Sequence, residues 1–225
     1  MADGELRATL ADWLSRVGLS EIGPRRGFWR GVPREANAVH TTRGFPLFLE
    51  YLRTIDRPLL VDFGPAIGAN VDFFGRQLSC KVQIEDVFAD LDHLTHDQRT
   101  AELPQWFVSR FEQADASVDG VLCWDLCDYL DATSVEVLAR QMARMLKPGG
   151  VALTMFGTEP LAASVYTKYV VVDVEHFQHR WYAAAKPPGD VWLMGRVLKL
   201  FGGLEPVGSH LLVHQQREVL FRKPL

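Results

Sequence analysis

The sequence predicts an α/β fold in which helices cover a mostly parallel, doubly wound sheet. Short runs rich in apolar residues, typical of strands in such a sheet, occur at residues 59–63, 81–84, 118–124 and 151–156. Segments with apolar residues at helical spacing lie between these runs. Strands that alternate with helices indicate βαβ units, and these units pair their strands in parallel.

The first helix of this unit is predicted between Pro46 and Pro58. The residues that share its apolar face are Phe48, Tyr51, Leu52 and Ile55. After the first strand, a second helix is expected, with Val71, Phe74 and Leu78 at helical spacing.

The later elements follow the same reasoning. One helix is marked by Val135, Leu138, Met142 and Met145 and ends at Lys147-Pro148-Gly149-Gly150; another is marked by Val191, Met194, Leu198 and Phe201. Residues 207–213 and 218–222 are expected to form a closing hairpin. A strand and a helix are also expected within 91–116, where the pattern does not place them.

Composition excludes several classes of protein. The formal net charge is −4 and the basic residues are dispersed, which disfavours nucleic acid as a partner. Three cysteines make no disulfide framework and no zinc motif, which predicts a reducing compartment. No secretory signal pattern and no membrane-spanning apolar run occurs, so a cytoplasmic location without membrane contact is expected.

The segment Val61-Asp62-Phe63-Gly64-Pro65-Ala66-Ile67-Gly68-Ala69-Asn70 carries the best functional signal. It joins a buried strand to a helix N-terminus, where glycines let the backbone approach a ligand and free N–H groups suit an anion. Asp62, at the strand end, is placed to accept from a ligand ammonium. The same turn also suits nicotinamide and flavin dinucleotides, or a purely structural role.

Two acids follow the second strand. Glu85 lies about 20 residues after the glycine turn, where a Rossmann-like fold places an acid on ribose hydroxyls. Glu85 directly follows the strand and is preferred to Asp86 for this role, although both acids also suit a simple turn cap.

Four stretches together resemble the class I S-adenosylmethionine-dependent methyltransferases. They are the glycine turn at 61–70, the strand at 117–130, the Leu-Lys-Pro-Gly-Gly turn and strand within 138–157, and the closing strand pair of the C-terminus. They occur in the family's order and cover most of residues 46–225.

This resemblance implies a Rossmann-like sheet of seven strands with an antiparallel last strand, and S-adenosylmethionine as the cofactor. It assigns the methionine end to the turn, the ribose to Glu85 or Asp86, and the adenine to residues before the fourth strand. The implied cofactor-binding residues are Asp62, Gly64, Pro65, Ala66, Gly68, Asn70, Glu85, Asp86, Phe111, Glu112 and Trp124. Ala66 replaces the usual middle glycine, and the third-strand motif is poorly formed.

Asp125 and Tyr129 are the candidate catalytic residues, because they follow the fourth strand at the edge where α/β folds bind ligands. Asp125 is placed to orient or deprotonate an acceptor, or only to cap the next turn. Neither His93 and His96 nor Asp173, His176 and His179 has a clear metal-binding pattern, so no metal is expected.

Two regions decorate the predicted domain. Residues 1–45 are expected to contain an N-terminal helix and then an Arg- and aromatic-rich segment, 21–45, that is either a lid or a plain connector. An insert at about 158–188 follows the fifth strand of the family fold, in a region that builds acceptor specificity in the family.

The sequence therefore predicts a methyltransferase acting on a small-molecule or unidentified acceptor. The alternative is a methyltransferase-fold binding or regulatory protein without turnover, and a nicotinamide-dependent oxidoreductase is disfavoured because G-x-G-x-x-G is absent. The oligomeric state is not predicted.

Overall fold

The computed structural model describes residues 37–161 and 163–225. Its strands are β1 Val39–Thr41, β2 Leu59–Asp62, β3 Lys81–Ile84, β4 Val118–Trp124, β5 Leu146–Gly157, β6 Val165–Val171, β7 His176–Ala183, β8 Glu205–Leu211 and β9 Gln216–Arg222. Its helices are α1 Gly44–Arg53, α2 Gly68–Leu78, α3 Val87–His96, α4 Leu103–Arg110, α5 Ala132–Met145 and α6 Met194–Leu200. Short 3₁₀ helices span Thr100–Glu102 and Leu126–Tyr129.

The central sheet has the strand order β3-β2-β4-β5-β9-β8. β3, β2, β4 and β5 pair in parallel, and β9 runs antiparallel to both β5 and β8. Every residue of β4 is buried, as expected of a central strand covered on both faces. The predicted α/β Rossmann-like fold with an antiparallel last strand is therefore confirmed.

The predicted number of seven strands is wrong, because the described sheet has six. The strand expected within 91–116 does not form there. Val87, Phe88, Leu91 and Leu94 share the buried face of α3, and Pro104 stands in the first turn of α4. Helical periodicity governs this segment, and β3 is left as the edge of the sheet.

A second, smaller sheet was not predicted. β1, β7 and β6 form a three-stranded antiparallel sheet in that order, which we call the cap sheet. β6 and β7 are a hairpin within the predicted insert, and β1 lies at the end of the segment expected to be a lid or connector. Residues 1–36, including the predicted N-terminal helix and most of the possible lid, lie outside the described residues.

Two polar side chains join the cap sheet to the central fold. Asn70, in the first turn of α2, donates from Nδ2 to Tyr169 O (2.9 Å) and accepts at Oδ1 from Val171 N (2.8 Å). Glu218, buried on β9, accepts from the Arg43 and Gly44 backbone N–H groups, at 2.8 and 2.6 Å. The cap sheet is therefore fixed over the carboxyl end of β2.

Most residues predicted to line the core are buried, including Phe48, Phe74 and all four marked residues of α5. Val71 and Leu198 are corrections, because both are 39% exposed. In the described part of the chain, no helix has the length and apolar character needed to cross a membrane.

Candidate functional site

The glycine turn connects β2 to α2 at the carboxyl edge of the sheet. Asp62 is the last residue of β2, and α2 begins at Gly68 without a side-chain cap on its N-terminus. A Cβ built on Gly68 would have no heavy atom within 4 Å, so this part of the turn faces open space. Pro65 is half-buried and Ala66 is exposed beside it. The turn thus leaves backbone accessible to a ligand.

Asp62 is buried and already hydrogen-bonded. Its Oδ1 accepts from Trp124 Nε1 at 2.6 Å and from Gly64 N at 2.8 Å. Burial raises the pKa of Asp62 to about 6, and these two hydrogen bonds oppose the rise. The carboxyl expected to receive a ligand ammonium therefore holds an indole in this structure.

Trp124 covers the glycine turn. Its φ is +53°, in the left-handed region that a bulky residue rarely adopts. Its ring stacks on Tyr169 of the cap sheet, with centroids 5.0 Å apart and planes 3° from parallel. A Cβ on Gly64 would lie 2.8 Å from Trp124 Nε1, so the indole rests directly on that glycine. Such backbone geometry costs about 1–3 kcal/mol and occurs often at functional sites.

Glu85 stands beside Asp62 on the neighbouring strand, since its backbone N–H donates to Asp62 O at 2.8 Å. Its Oε2 accepts from Arg110 Nη1 at 2.6 Å, and its Oε1 accepts from Gln113 Nε2. Asp86 instead caps α3, accepting from Ala89 N at 3.3 Å. The two acids therefore have separate roles in the fold, and Glu85 is the one that faces the segment before β4.

That segment contains the residues expected to cover an adenine. Phe111 is buried and stacks on Phe63 at 4.9 Å, while Glu112 is exposed. Gln113 contacts Glu85, as described above. The structure brings Phe111 and Gln113 to the sheet edge, and it leaves Glu112 outside.

The two candidate catalytic residues have different surroundings. Asp125 is buried, its Oδ1 has no hydrogen-bond partner in the described structure, and burial raises its pKa to about 7 despite hydrogen bonds that include Tyr169. Tyr129 is also buried, but its hydroxyl donates to Val165 O at 2.5 Å. Burial raises the pKa of Tyr129 far above its ordinary value. Asp125 is thus available for proton transfer, whereas Tyr129 is engaged in holding β6.

From the sequence, Tyr169 is one of the insert aromatics that either line a pocket or pack under the sheet, and in the structure it contacts both Trp124 and Asp125. Its hydroxyl also accepts from Gln216 Nε2 at 2.5 Å. The alternating pattern of β6 was the available signal, but alternation does not say which strand end the hairpin covers.

Three histidines form a cluster that sequence reasoning missed. The ring centroids of His40 and His179, and of His40 and His214, are 4.4 Å apart, and His179 lies 5.2 Å from His214. The residues come from three distant parts of the chain, so no spacing in the sequence reveals them. Burial and the two neighbouring imidazoles lower the pKa of His179 to about 3.

The histidines considered from sequence do not come together. His176 is half-exposed and pairs with Asp173 at 2.9 Å, whereas His179 is buried, because both histidines lie on a strand and their odd spacing separates them. Within 37–161 and 163–225, no group of three or more His, Cys, Asp or Glu side chains is placed to hold a metal ion.

Comparison with known proteins supports the resemblance found in the sequence. Residues 61–154 match a family model described as a methyltransferase domain. A search of curated proteins finds no match. The family match confirms the resemblance to methyltransferases over the segment that carries the glycine turn, Glu85, Trp124 and Asp125.

Solved structures are similar in fold at low identity. The [4+2]-cyclase SpnF superposes with a TM-score of 0.51 at 13% identity, with 81% of each chain covered. The 1,6-didemethyltoxoflavin-N1-methyltransferase of Burkholderia thailandensis, solved with S-adenosylhomocysteine, gives 0.49 at 15% identity over 81% of this chain and 78% of that chain. The N-methyltransferase NodS of Bradyrhizobium japonicum gives 0.47 at 13% identity over 81% and 95%. Such identities establish the fold alone, and a cyclase among these neighbours means that the fold does not fix the reaction.

Proposed function

We propose, from the methyltransferase-domain match over residues 61–154 and from the geometry of the cleft, that this chain binds S-adenosylmethionine and transfers its methyl group to a small-molecule acceptor. The observation that carries the proposal is the meeting of Asp62 and Glu85 at adjacent strand ends beside an open glycine turn. A cytoplasmic location and the absence of nucleic acid as a partner belong to the same proposal and rest on composition.

The residues present fit this cofactor in kind and in position. Asp62 is placed to accept from the ammonium of the methionine end, the uncapped start of α2 suits its carboxylate, and Glu85 is placed to accept from ribose hydroxyls. Both acids already accept hydrogen bonds that the ligand would share or displace: Trp124 Nε1 donates to Asp62 Oδ1, and Arg110 and Gln113 donate to the Glu85 carboxylate. When bound, S-adenosylmethionine supplies an electrophilic methyl group on a sulfonium.

Asp125 is the residue that we assign to proton transfer. A carboxyl whose pKa is about 7 exists in both protonation states near neutral pH, as a general base requires. Its unpartnered Oδ1 has a free lone pair to accept a proton from an acceptor O–H or N–H. Tyr169, hydrogen-bonded to the same carboxyl, orients it.

A second candidate function is a binding or regulatory protein that keeps the fold without turnover. The contact between Trp124 and Asp62 favours it, because the buried indole donates to the carboxyl that would otherwise accept from the ammonium of the methionine end. The strand expected within 91–116 is also absent from the described sheet, so no strand follows β3 on the side where the adenine would bind.

Calorimetry with S-adenosylhomocysteine separates the two candidates. We expect the wild-type chain to bind, and we expect Trp124→Phe to bind more tightly, since Phe preserves a ring against Tyr169 but removes the Nε1–H from Asp62. Trp181→Phe, on β7, is the matched control and should leave affinity unchanged. Binding by Trp124→Phe but not by wild type favours the second candidate, and no binding by either refutes the proposed cofactor.

Turnover is tested separately. With radiolabelled cofactor and a panel of small nucleophiles, product formation should fall about 10²–10⁴-fold in Asp125→Asn while S-adenosylhomocysteine affinity stays constant. An active Asp125→Asn variant would remove Asp125 from the mechanism without removing the cofactor.

A further inference from the structure

A cavity of about 400 Å³ lies against the end of the 3₁₀ helix that follows Asp125. Its walls are the end of that helix, the start of α5 and the segment 186–196 that leads into α6. A volume of this size fits a small metabolite. No residue predicted from the sequence to bind cofactor lines it.

Two cations, Lys186 and Arg196, line this cavity, which we call the Lys186 cavity. Lys186 is half-buried and has neither a hydrogen bond nor an ion pair within the described residues, and burial lowers the pKa of its ammonium. The Arg196 guanidinium lies over the Trp192 ring, 5.1 Å from its centroid, and likewise has no described carboxylate partner. A guanidinium over an aromatic ring gains a cation–π interaction and still has N–H groups that can donate to an anion.

The acids at the cavity limit the charge that it accepts. Asp131 and Asp190 line it and are exposed, and Asp131 already caps α5 by accepting from Ser134 N at 2.8 Å. The two acids offset part of the positive potential of Lys186 and Arg196, which disfavours a doubly charged phosphate ester more than a ligand with one negative charge.

The walls are hydrogen-bonded to the 3₁₀ helix that follows β4. Trp192 Nε1 donates to Cys127 O at 3.0 Å, and Gly189 N donates to Asp128 O at 2.6 Å. Leu130 and Val191 add apolar surface between these anchors. A cavity with fixed walls loses little conformational entropy when a ligand enters.

We propose that the Lys186 cavity binds a small monocarboxylate, whose carboxylate lies between Lys186 and Arg196 and whose apolar body contacts Trp192. The proposal does not depend on the proposed function, and it assigns the ligand no part in methyl transfer. Binding itself requires no cofactor.

The test is a titration of the cofactor-free, full-length protein with sodium benzoate, followed through the indole N–H signal of Trp192 by NMR. Benzoate should saturate this signal at millimolar concentration, and benzamide, its neutral analogue, should bind about tenfold more weakly. Lys186→Met should weaken benzoate binding about tenfold, whereas Lys199→Met, an exposed lysine of α6, should not change it.

Each remaining outcome is decisive. Equal binding of benzoate and benzamide, an unaffected Lys186→Met variant, or no benzoate binding overturns the proposal. Tighter binding of inorganic phosphate than of benzoate also overturns it, because the cavity would then recognise a phosphate and not a carboxylate. If the protein binds benzoate but not S-adenosylhomocysteine, the proposed function is refuted and the proposal for the cavity stands. If it binds S-adenosylhomocysteine but not benzoate, the proposal for the cavity is refuted and the proposed function stands.

Discussion

Replacing Asp125 with Asn should stabilise the protein at pH 8 and leave it almost unchanged at pH 4. The side chain is buried, with an oxygen that no described group satisfies. In the folded chain its pKa is about 7, against an ordinary value of 3.8. The unfolded chain thus releases its proton near pH 4, while the folded chain retains it until about pH 7.

The magnitude follows from this difference. Between the two pKa values the folded state binds more protons than the unfolded state, so the free energy of unfolding falls as pH rises through this window. A difference of about 3 in pKa corresponds to about 4 kcal/mol, which is the upper limit of the cost at pH 8. Asn carries no charge to desolvate and still accepts from Tyr169, so it recovers much of this cost.

The assay is urea unfolding of wild type and Asp125→Asn at pH 4 and pH 8. Asp119→Asn is a matched control, because Asp119 is also a buried carboxylate of β4 but is paired with Lys147 at 2.8 Å. That variant should lose stability at pH 8. If Asp125→Asn changes stability equally at both pH values, the buried carboxyl does not carry the proposed penalty. A stabilised but inactive variant would show that the carboxyl is retained for function at the expense of stability.

Three further predictions concern the glycine turn and the cap sheet. Gly64→Ala should cost about 1–3 kcal/mol, because its Cβ would lie 2.8 Å from Trp124 Nε1, whereas Gly68→Ala, with no heavy atom within 4 Å of its Cβ, should melt at nearly the wild-type temperature. Equal melting temperatures for the two variants would mean that the indole does not rest on the turn. Asn70→Ala should cost about 1–3 kcal/mol and accelerate hydrogen exchange in β6, since two buried backbone groups lose their partner; unchanged exchange would show that the cap sheet is held by other contacts. His179→Phe should reduce the loss of stability between pH 7 and pH 5, because the unfolded imidazole binds a proton below about pH 6.5 while the folded one, with a pKa of about 3, does not. Parallel pH profiles for wild type and variant would contradict this.

Local patterns carried most of the sheet prediction. The sequence predicts a strand at 118–124 and a helix face at 135–145, and both form in the structure. They are predictable because the spacing of apolar residues along a short segment indicates a strand or a helix face. The glycine turn and Glu85 were located for the same reason, since the βαβ unit that contains them is short and continuous in the chain.

The strand expected within 91–116 does not form, because that expectation came from the alternation of strands and helices along the chain and no local pattern supported it. The leucines and phenylalanines of this segment fit helices, and the structure follows them. The cap sheet was missed because β1 pairs with β7 across more than 130 residues of sequence. The sequence of neither strand indicates which distant strand it will pair with.

By itself, the sequence determined the α/β class and the order in which the parallel strands and their helices follow one another along the chain. It also determined that Asp62, Gly68 and Glu85 lie at the ends of strands and helices. Only the tertiary structure decided that Trp124 Nε1 donates a hydrogen bond to Asp62, and that Tyr169 packs against Asp125. The physical reason is the range of the interactions involved. Periodicity and turn chemistry act over a few residues, whereas hydrogen bonding and the desolvation that raises the pKa of Asp125 depend on groups that meet only when distant segments pack together.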